Sequence, residues 1–174
     1  MNPLLIVIDM QNDFISQALG TKEAQAIVPA VKEKILSWEG PVIYTRDTHQ
    51  ENYLDTAEGK KLPVPHCIQG SIGWELNEQI SACVKPEDMV FDKPSFGSVQ
   101  LAEYVTNLTR EQKISSVTLV GLCTDICVIS NALLLKAFVP ELPLAVDASC
   151  CAGVTPESHE NALKSMAMCQ IDIL

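Results

Sequence analysis

The chain has 174 residues, 47% of them hydrophobic, which is enough apolar material for one domain with a sizeable core. Its formal net charge of −10, with 22 acidic against 12 basic residues, excludes nucleic acid and anionic membrane surfaces as expected partners, because phosphate contacts need clustered Lys and Arg. No apolar stretch approaches a membrane span, Met1-Asn2-Pro3 lacks the basic segment of a secretory leader, and seven cysteines without paired CxxC spacing do not make a disulfide framework. The expectation is a cytoplasmic protein with reduced thiols, residues 1–174 forming a single domain.

In chain order, short apolar runs alternate with segments of helical periodicity. Leu4–Ile8 reads as a strand and Lys22–Trp38 as a helix; Val42–Tyr44 is the second strand. Residues 47–72 then break the rhythm, holding Pro, Gly, charged residues and two of the three histidines without a period for helix or strand. A connection that long inside a compact domain is commonly functional, and Tyr53, Leu54, Leu62, Val64 and Ile68 are available to pack it down. Next come a helix over Gly73–Cys83, a strand at Met89–Phe91, a helix over Ser98–Glu111, a strand at Val117–Val120 and a helix over Asp125–Phe138. Leu144–Val146, the helix Pro156–Cys169 with Thr155 as its cap, and Ile171–Leu174 complete the chain. Continuous rather than alternating apolarity marks strands covered on both faces, and interleaved helices mark βαβ units, so the class is α/β with a parallel sheet.

Ligands of such sheets bind beyond the carboxyl ends of the strands. Asp9 follows the first strand, Lys93 the third and Cys127 the fourth. Thr124 is a reasonable N-cap, which places Cys127 at the third helical position, where the helix dipole and unpaired N–H groups favour a thiolate. Taken together the three residues form a catalytic set. Asp9 serves as general base, Lys93 as electrostatic partner and Cys127 as nucleophile on an electrophilic carbonyl, with N–H groups of the Leu122–Cys127 turn available to the oxyanion. An amide would be hydrolysed through a thioester.

A second constellation lies at the long segment. Asp47 and His49 face the same way at an extended strand end, His66 approaches if the segment folds back, and Glu58 is a further donor. Carboxylate plus imidazole suits Zn²⁺, Mn²⁺ or Fe²⁺. The remaining groups carry simpler readings. His159 reads as a structural residue on the outer part of the last helix, and Cys83 and Cys169 as residues on packing faces. The adjacent Cys150 and Cys151 are unsuited to an ordinary disulfide, and Cys123 in the nucleophile turn reads as a close backbone packing residue, with oxidative pairing to Cys127 the alternative.

Val7-Ile8-Asp9-Met10-Gln11-Asn12-Asp13-Phe14, Lys93 within Asp92-Lys93-Pro94-Ser95-Phe96, and Gly121-Leu122-Cys123-Thr124-Asp125-Ile126-Cys127-Val128 together resemble the isochorismatase-like cysteine hydrolases, a superfamily that includes nicotinamidases. The resemblance spans nearly the whole chain. It implies a three-layer, Rossmann-like fold whose six-stranded parallel sheet has the order 3-2-1-4-5-6 and is flanked by helices. It also implies a cis peptide between Leu122 and Cys123, and an oxyanion hole made by the N–H groups of Cys123 and Cys127. Most members carry Ala at the position of Cys123. Arg46-Asp47-Thr48-His49 and Pro65-His66-Cys67-Ile68-Gln69-Gly70-Ser71-Ile72-Gly73 are similar to nicotinamidase metal-binding segments, which implies one divalent ion, zinc first, on Asp47, His49 and His66 with Glu58 as fourth donor. Some nicotinamidases have a further histidine where Gln50 to Asp55 contains none. No organic cofactor is implied.

The leading expectation is therefore a cysteine amidohydrolase acting on a small-molecule amide such as nicotinamide, with Phe14, Phe96 and Trp74 lining the pocket. Isochorismatase-type vinyl ether cleavage and a non-catalytic thiol redox sensor using Cys123 and Cys127 are the alternatives. The resemblance further implies a homo-oligomer, with the apolar helix from Ile126 to Val139 offering a surface.

Overall fold

In the computed structural model, which describes residues 1–174, six strands form one sheet in the order β3-β2-β1-β4-β5-β6. They are β1 (Asn2–Ile8), β2 (Val42–Asp47), β3 (Met89–Lys93), β4 (Ile114–Leu122), β5 (Leu144–Ala152) and β6 (Asp172–Ile173). Every pairing is parallel, as the continuous apolar runs require of strands buried on both faces. The period of two sorts the side chains. Leu4, Ile6 and Ile8 pack on one face with Val117 and Leu119, while Leu5 and Val7 pack on the other with Val120 and Leu122.

Helices α1 (Asn12–Ile15), α2 (Lys22–Leu36) and α4 (Glu78–Ser81) contribute Phe14, Ile15, Val28, Val31 and Ile80 to the second face. Helices α5 (Val99–Arg110), α6 (Ile129–Phe138) and α7 (Pro156–Met168) contribute Leu101, Val105, Ala132, Leu135 and Met166 to the first. The result is the expected three-layer arrangement. Local chemistry sets the helix starts: Thr21 Oγ1 accepts the Ala24 N–H, Ser98 Oγ accepts that of Leu101, and Thr155 forms a capping box with Ser158 ahead of Pro156. No helix is long and apolar enough to cross a membrane.

Three expectations fail locally. The helix read over Gly73–Cys83 is confined to Glu78–Ser81, because the residues before it pair in extended form with the segment after β1. Asp13 N–H donates to Gly73 O, Asn12 N–H to Glu75 O and Asn77 N–H to Met10 O, around an antiparallel bridge between Gln11 and Leu76. The segment after Asp47 is not structureless: a 3₁₀ turn at Tyr53–Asp55 leads into α3 (Ala57–Lys61), capped by Thr56. Tyr53 is buried and its hydroxyl donates to Leu62 O at 2.9 Å, but Leu54 and Leu62 are exposed rather than packed down. Finally, Cys169 is exposed, unlike the buried Cys83, because it terminates α7 beyond the last core residue, Met166.

The centre of the sheet permits no side chain at Gly121. Its φ is +116°, and a Cβ there would stand 2.1 Å from Ile8 O, on the neighbouring strand that leads into Asp9. Gly121→Ala is therefore expected to reduce the unfolding free energy by about 3 kcal/mol or more. Urea denaturation checks this, and a loss below about 1 kcal/mol would contradict the close approach.

Candidate active site

Because β1, β2 and β3 are parallel neighbours, their carboxyl ends deliver Asp9, Asp47 and Lys93 to one place. Asp47 and Lys93 are register partners, and Asp9 follows Ile8 directly. Lys93 is fully buried, with Nζ 2.6 Å from Asp9 Oδ2, 3.3 Å from Asp47 Oδ1, 3.2 Å from Ser95 O and 3.4 Å from Cys127 Sγ. The second Asp9 oxygen accepts the Thr45 hydroxyl at 2.6 Å. Asp9 itself has φ +46°, a strained conformation for a residue with a side chain. Its backbone N–H is tied to Thr45 O and Oγ1, both at 3.2 Å.

Cys127 reaches this centre from beyond β4. The Leu122–Cys123 peptide is cis, as the resemblance implies. After it the chain makes a π-helical turn, Thr124–Val128, before α6 begins. The expected Thr124 cap is not formed. Cys123 stands at the N-cap without a side-chain bond, Cys127 is the fourth residue of the turn rather than the third, and the Thr124 hydroxyl instead shares a 2.8 Å hydrogen bond with His159 Nδ1. His159 is thus half-buried against the nucleophile turn and not on an outer face.

Electrostatics reverse a second expectation, that of a preformed thiolate. Complete burial and then the Asp9 charge push the Cys127 thiol well above its ordinary value, and Lys93 does not offset them. Burial likewise raises the Asp9 carboxyl above its ordinary value despite Lys93. Burial opposes the Lys93 charge, but Asp9, Cys127 and Asp47 outweigh it and hold the ammonium above its ordinary value. The resting Cys127 is therefore a neutral thiol.

The second constellation also assembles. One donor atom from each of Asp47, His49, Glu58 and His66 falls within 4.8 Å of all the others. His49 Nε2 is 3.1 Å from Asp47 Oδ2 and 3.6 Å from Glu58 Oε1; His66 Nε2 is 3.8 Å and 3.7 Å from the same atoms. His66 Nδ1 lies 2.8 Å from Val64 O, an arrangement that assigns the proton to Nδ1 and turns the Nε2 lone pair into the cluster. Two imidazoles and two carboxylates suit a borderline divalent ion such as zinc.

Both constellations open on one cavity of about 440 Å³, lined among others by Phe14, Leu19, Glu58, Leu62, His66, Phe96, Cys123, Ile126 and Cys127. Trp74 is not part of this wall. Its Nε1 donates to Thr48 Oγ1 at 2.8 Å and the Arg46 guanidinium covers its ring at 3.6 Å, so it is a packing residue. Sequence reasoning missed Thr45 and Asn131. Asn131 is buried, its Nδ2 donating to Cys127 O at 2.8 Å and Phe96 O at 3.0 Å while Oδ1 accepts the Ser98 N–H at 2.9 Å. An Asn set among the apolar residues of α6 was the available signal.

His49 gives the metal-free site a pH signature. Burial lowers its affinity for a proton, but the hydrogen bond and charge of Asp47, with Glu58, outweigh this and raise it above its ordinary 6.5. A raised folded value means that the contribution to stability is complete below pH 6.5 and is lost as pH rises through the folded value. In EDTA, the stability difference between wild type and His49→Gln is expected to shrink as pH rises above 6.5. Thermal unfolding reads it, and a difference that grows with pH would refute the assignment.

A family model described as the isochorismatase domain matches residues 3–174. An isochorismatase family protein of Bacillus subtilis strain 168 is 28% identical over 179 residues, covering 96% of this chain and 95% of the relative. The pyrazinamidase of Pyrococcus horikoshii, solved in complex with zinc, is 28% identical with a TM-score of 0.80, covering 100% of this chain and 99% of that one. The pyrazinamidase/nicotinamidase of Streptococcus mutans UA159 is 26% identical with a TM-score of 0.83, covering 99% of each chain. With the family model spanning all but the first two residues, the chain belongs to the isochorismatase family.

Proposed function

We propose that the protein is a cysteine amidohydrolase that releases ammonia from a small carboxamide, nicotinamide being the first substrate to test. The observation that carries this reading is that Lys93 contacts both Asp9 and Cys127 within 3.4 Å, directly behind the cavity wall that Cys127 forms. The pyrazinamidases of Pyrococcus horikoshii and Streptococcus mutans, alike in fold over nearly their whole length, support amide chemistry.

The resting protonation states set the sequence of events. Asp9, whose carboxyl is raised by burial, takes the Cys127 proton as Sγ bonds to the amide carbonyl carbon. The oxyanion is received by backbone N–H groups of Cys123 and Cys127; that of Cys123 donates to no acceptor within the chain. Asp9 then passes the proton to the amide nitrogen, the C–N bond breaks, ammonia leaves and a Cys127 thioester remains. Water, deprotonated by Asp9, adds to the thioester carbonyl; the carboxylic acid departs and Sγ recovers its proton. Lys93 stays an ammonium throughout, holding Asp9 and compensating whichever neighbour is negative. Phe14, Phe96 and Ile126 offer an apolar wall to the acyl half of the substrate.

Asp47, His49, Glu58 and His66 would hold one divalent ion, zinc first, with Asp47, Glu58 and His66 also lining the cavity. When bound there, the ion supplies a Lewis acid to a donor atom of the substrate or of water.

Ammonia release from nicotinamide, pyrazinamide and a panel of small carboxamides tests the reading. Cys127→Ala and Asp9→Asn are each expected to lower turnover by at least about 10³-fold. Hydrolysis retained by Cys127→Ala would refute the mechanism. If only carboxamides other than nicotinamide and pyrazinamide are turned over, the chemistry stands and the substrate changes.

A further inference from the structure

Two polar side chains just beyond β1 are unexplained by the chemistry above. Gln11 is fully buried, and its amide grips both backbone groups of Asp47: Oε1 accepts the Asp47 N–H at 2.7 Å and Nε2 donates to the Asp47 carbonyl at 2.9 Å. A third bond, Nε2 to Trp74 O at 2.8 Å, satisfies the remaining donor. Held at both its N–H and its C=O, the Asp47 backbone is fixed at the end of β2.

Asp13, also buried, does the equivalent one segment away. Its Oδ2 accepts the Cys67 N–H at 2.7 Å and its Oδ1 the Ala18 N–H at 3.3 Å. Cys67 directly follows His66 and adopts φ +47°, a region in which a residue with a side chain is strained. The charge-assisted bond from Asp13 therefore fixes the backbone beside His66 in a conformation that the loop alone would leave. Gly73 makes room for it: a Cβ there would come within 2.1 Å of Asp13 Oδ2 and 2.4 Å of Oδ1.

We infer that Gln11 and Asp13 are positioning residues for the four-donor cluster, which from one short segment set the separation of Asp47 and His66 before any ion arrives. The inference rests on reading that cluster as a metal site. It assigns the placement of donors on two different segments to contacts that no donor makes itself, the role that outer-shell partners play at metal centres.

Gly73→Ala is the discriminating variant. It alters no charge, and the Gly73 backbone is outside the left-handed region, yet its methyl displaces the Asp13 carboxylate from Cys67. Asp13→Asn keeps the shape but turns an N–H donor toward either Cys67 or Ala18. Zinc affinity, measured by chelator competition, is expected to fall at least tenfold in both variants, while melting in EDTA stays within a few degrees of wild type. Unchanged affinity in Gly73→Ala would overturn the positioning role, whereas a wild type that takes up no zinc would overturn the metal reading beneath it. Should Gly73→Ala not fold, unchanged affinity in Asp13→Asn overturns the role instead. In wild type, the Cys67 amide is expected to be protected from hydrogen exchange in EDTA. Protection that arises only on adding zinc would show that the ion, not Asp13, orders this backbone.

Discussion

The Lys93 ammonium is fully buried where three parallel strands end, and the protein alone must compensate its charge. Stripping such an ion of water costs several kcal/mol unless close partners replace the solvent. Asp9 and Asp47 do so at 2.6 and 3.3 Å, and the Ser95 carbonyl takes a further direction. The fold makes this meeting inevitable. In a parallel sheet neighbouring strands end at the same level, so residues at corresponding ends of β1, β2 and β3 converge without any loop having to deliver them. The same fact makes each group dependent on the others: removing the ammonium would leave two buried carboxylates facing each other.

Two carboxylates against one ammonium leave the centre short of positive charge, and this decides the state of the nucleophile. A thiolate at Cys127 would add a third negative charge to a dry site, so the thiol keeps its proton. On the proposed reading, attack on an amide would therefore draw on Asp9 as base and not on a standing thiolate. The same neutrality tells against a sensing role, because oxidants attack thiolates. Cys123, half-buried on the cavity wall, is also raised by burial, to about 12. Neither thiol has the electropositive, ionised setting that a redox switch requires.

What the sequence made legible was whatever depends on local pattern. Leu4–Ile8 and Val117–Val120 announce buried strands by continuous apolarity, and Thr155-Pro156 announces a helix start, because both signals act over a few residues. Residues 73–77 were misread because their partners, Met10 to Asp13, lie far away in sequence, and long-range pairing overrode helical spacing. Thr124 looked like a cap, but its hydroxyl found His159 on another helix. Trp74 looked like a pocket wall, but Arg46 and Thr48, brought beside it by β2, claimed its ring and its N–H. At the candidate site, Asp9, Lys93 and Cys127 stood at strand ends that the apolar runs marked. The direction of the Cys127 shift could not be read, since it depends on complete burial and on how closely the Asp9 charge approaches, which no spacing reveals.

The four-donor cluster raises the question of why a segment spanning Asp47 to His66 closes on itself at all. Loop closure costs entropy that grows with the logarithm of length, and here it brings two carboxylates together, which adds repulsion. Backbone bonds meet part of this cost: His49 N–H donates to Cys67 O at 2.9 Å and Gln69 N–H to His49 O at 2.8 Å, zipping the segment's end alongside its start as a parallel bridge. Those bonds place the donors. Lys93 compensates Asp47 from one side at 3.3 Å, while Glu58 meets the two imidazoles, of which His49 binds its proton more firmly beside Asp47 and Glu58. A proton on His49 and a metal ion on its Nε2 therefore answer the same electrostatic demand and exclude each other, so the cluster's fold is set by the backbone and its occupancy by pH and metal together.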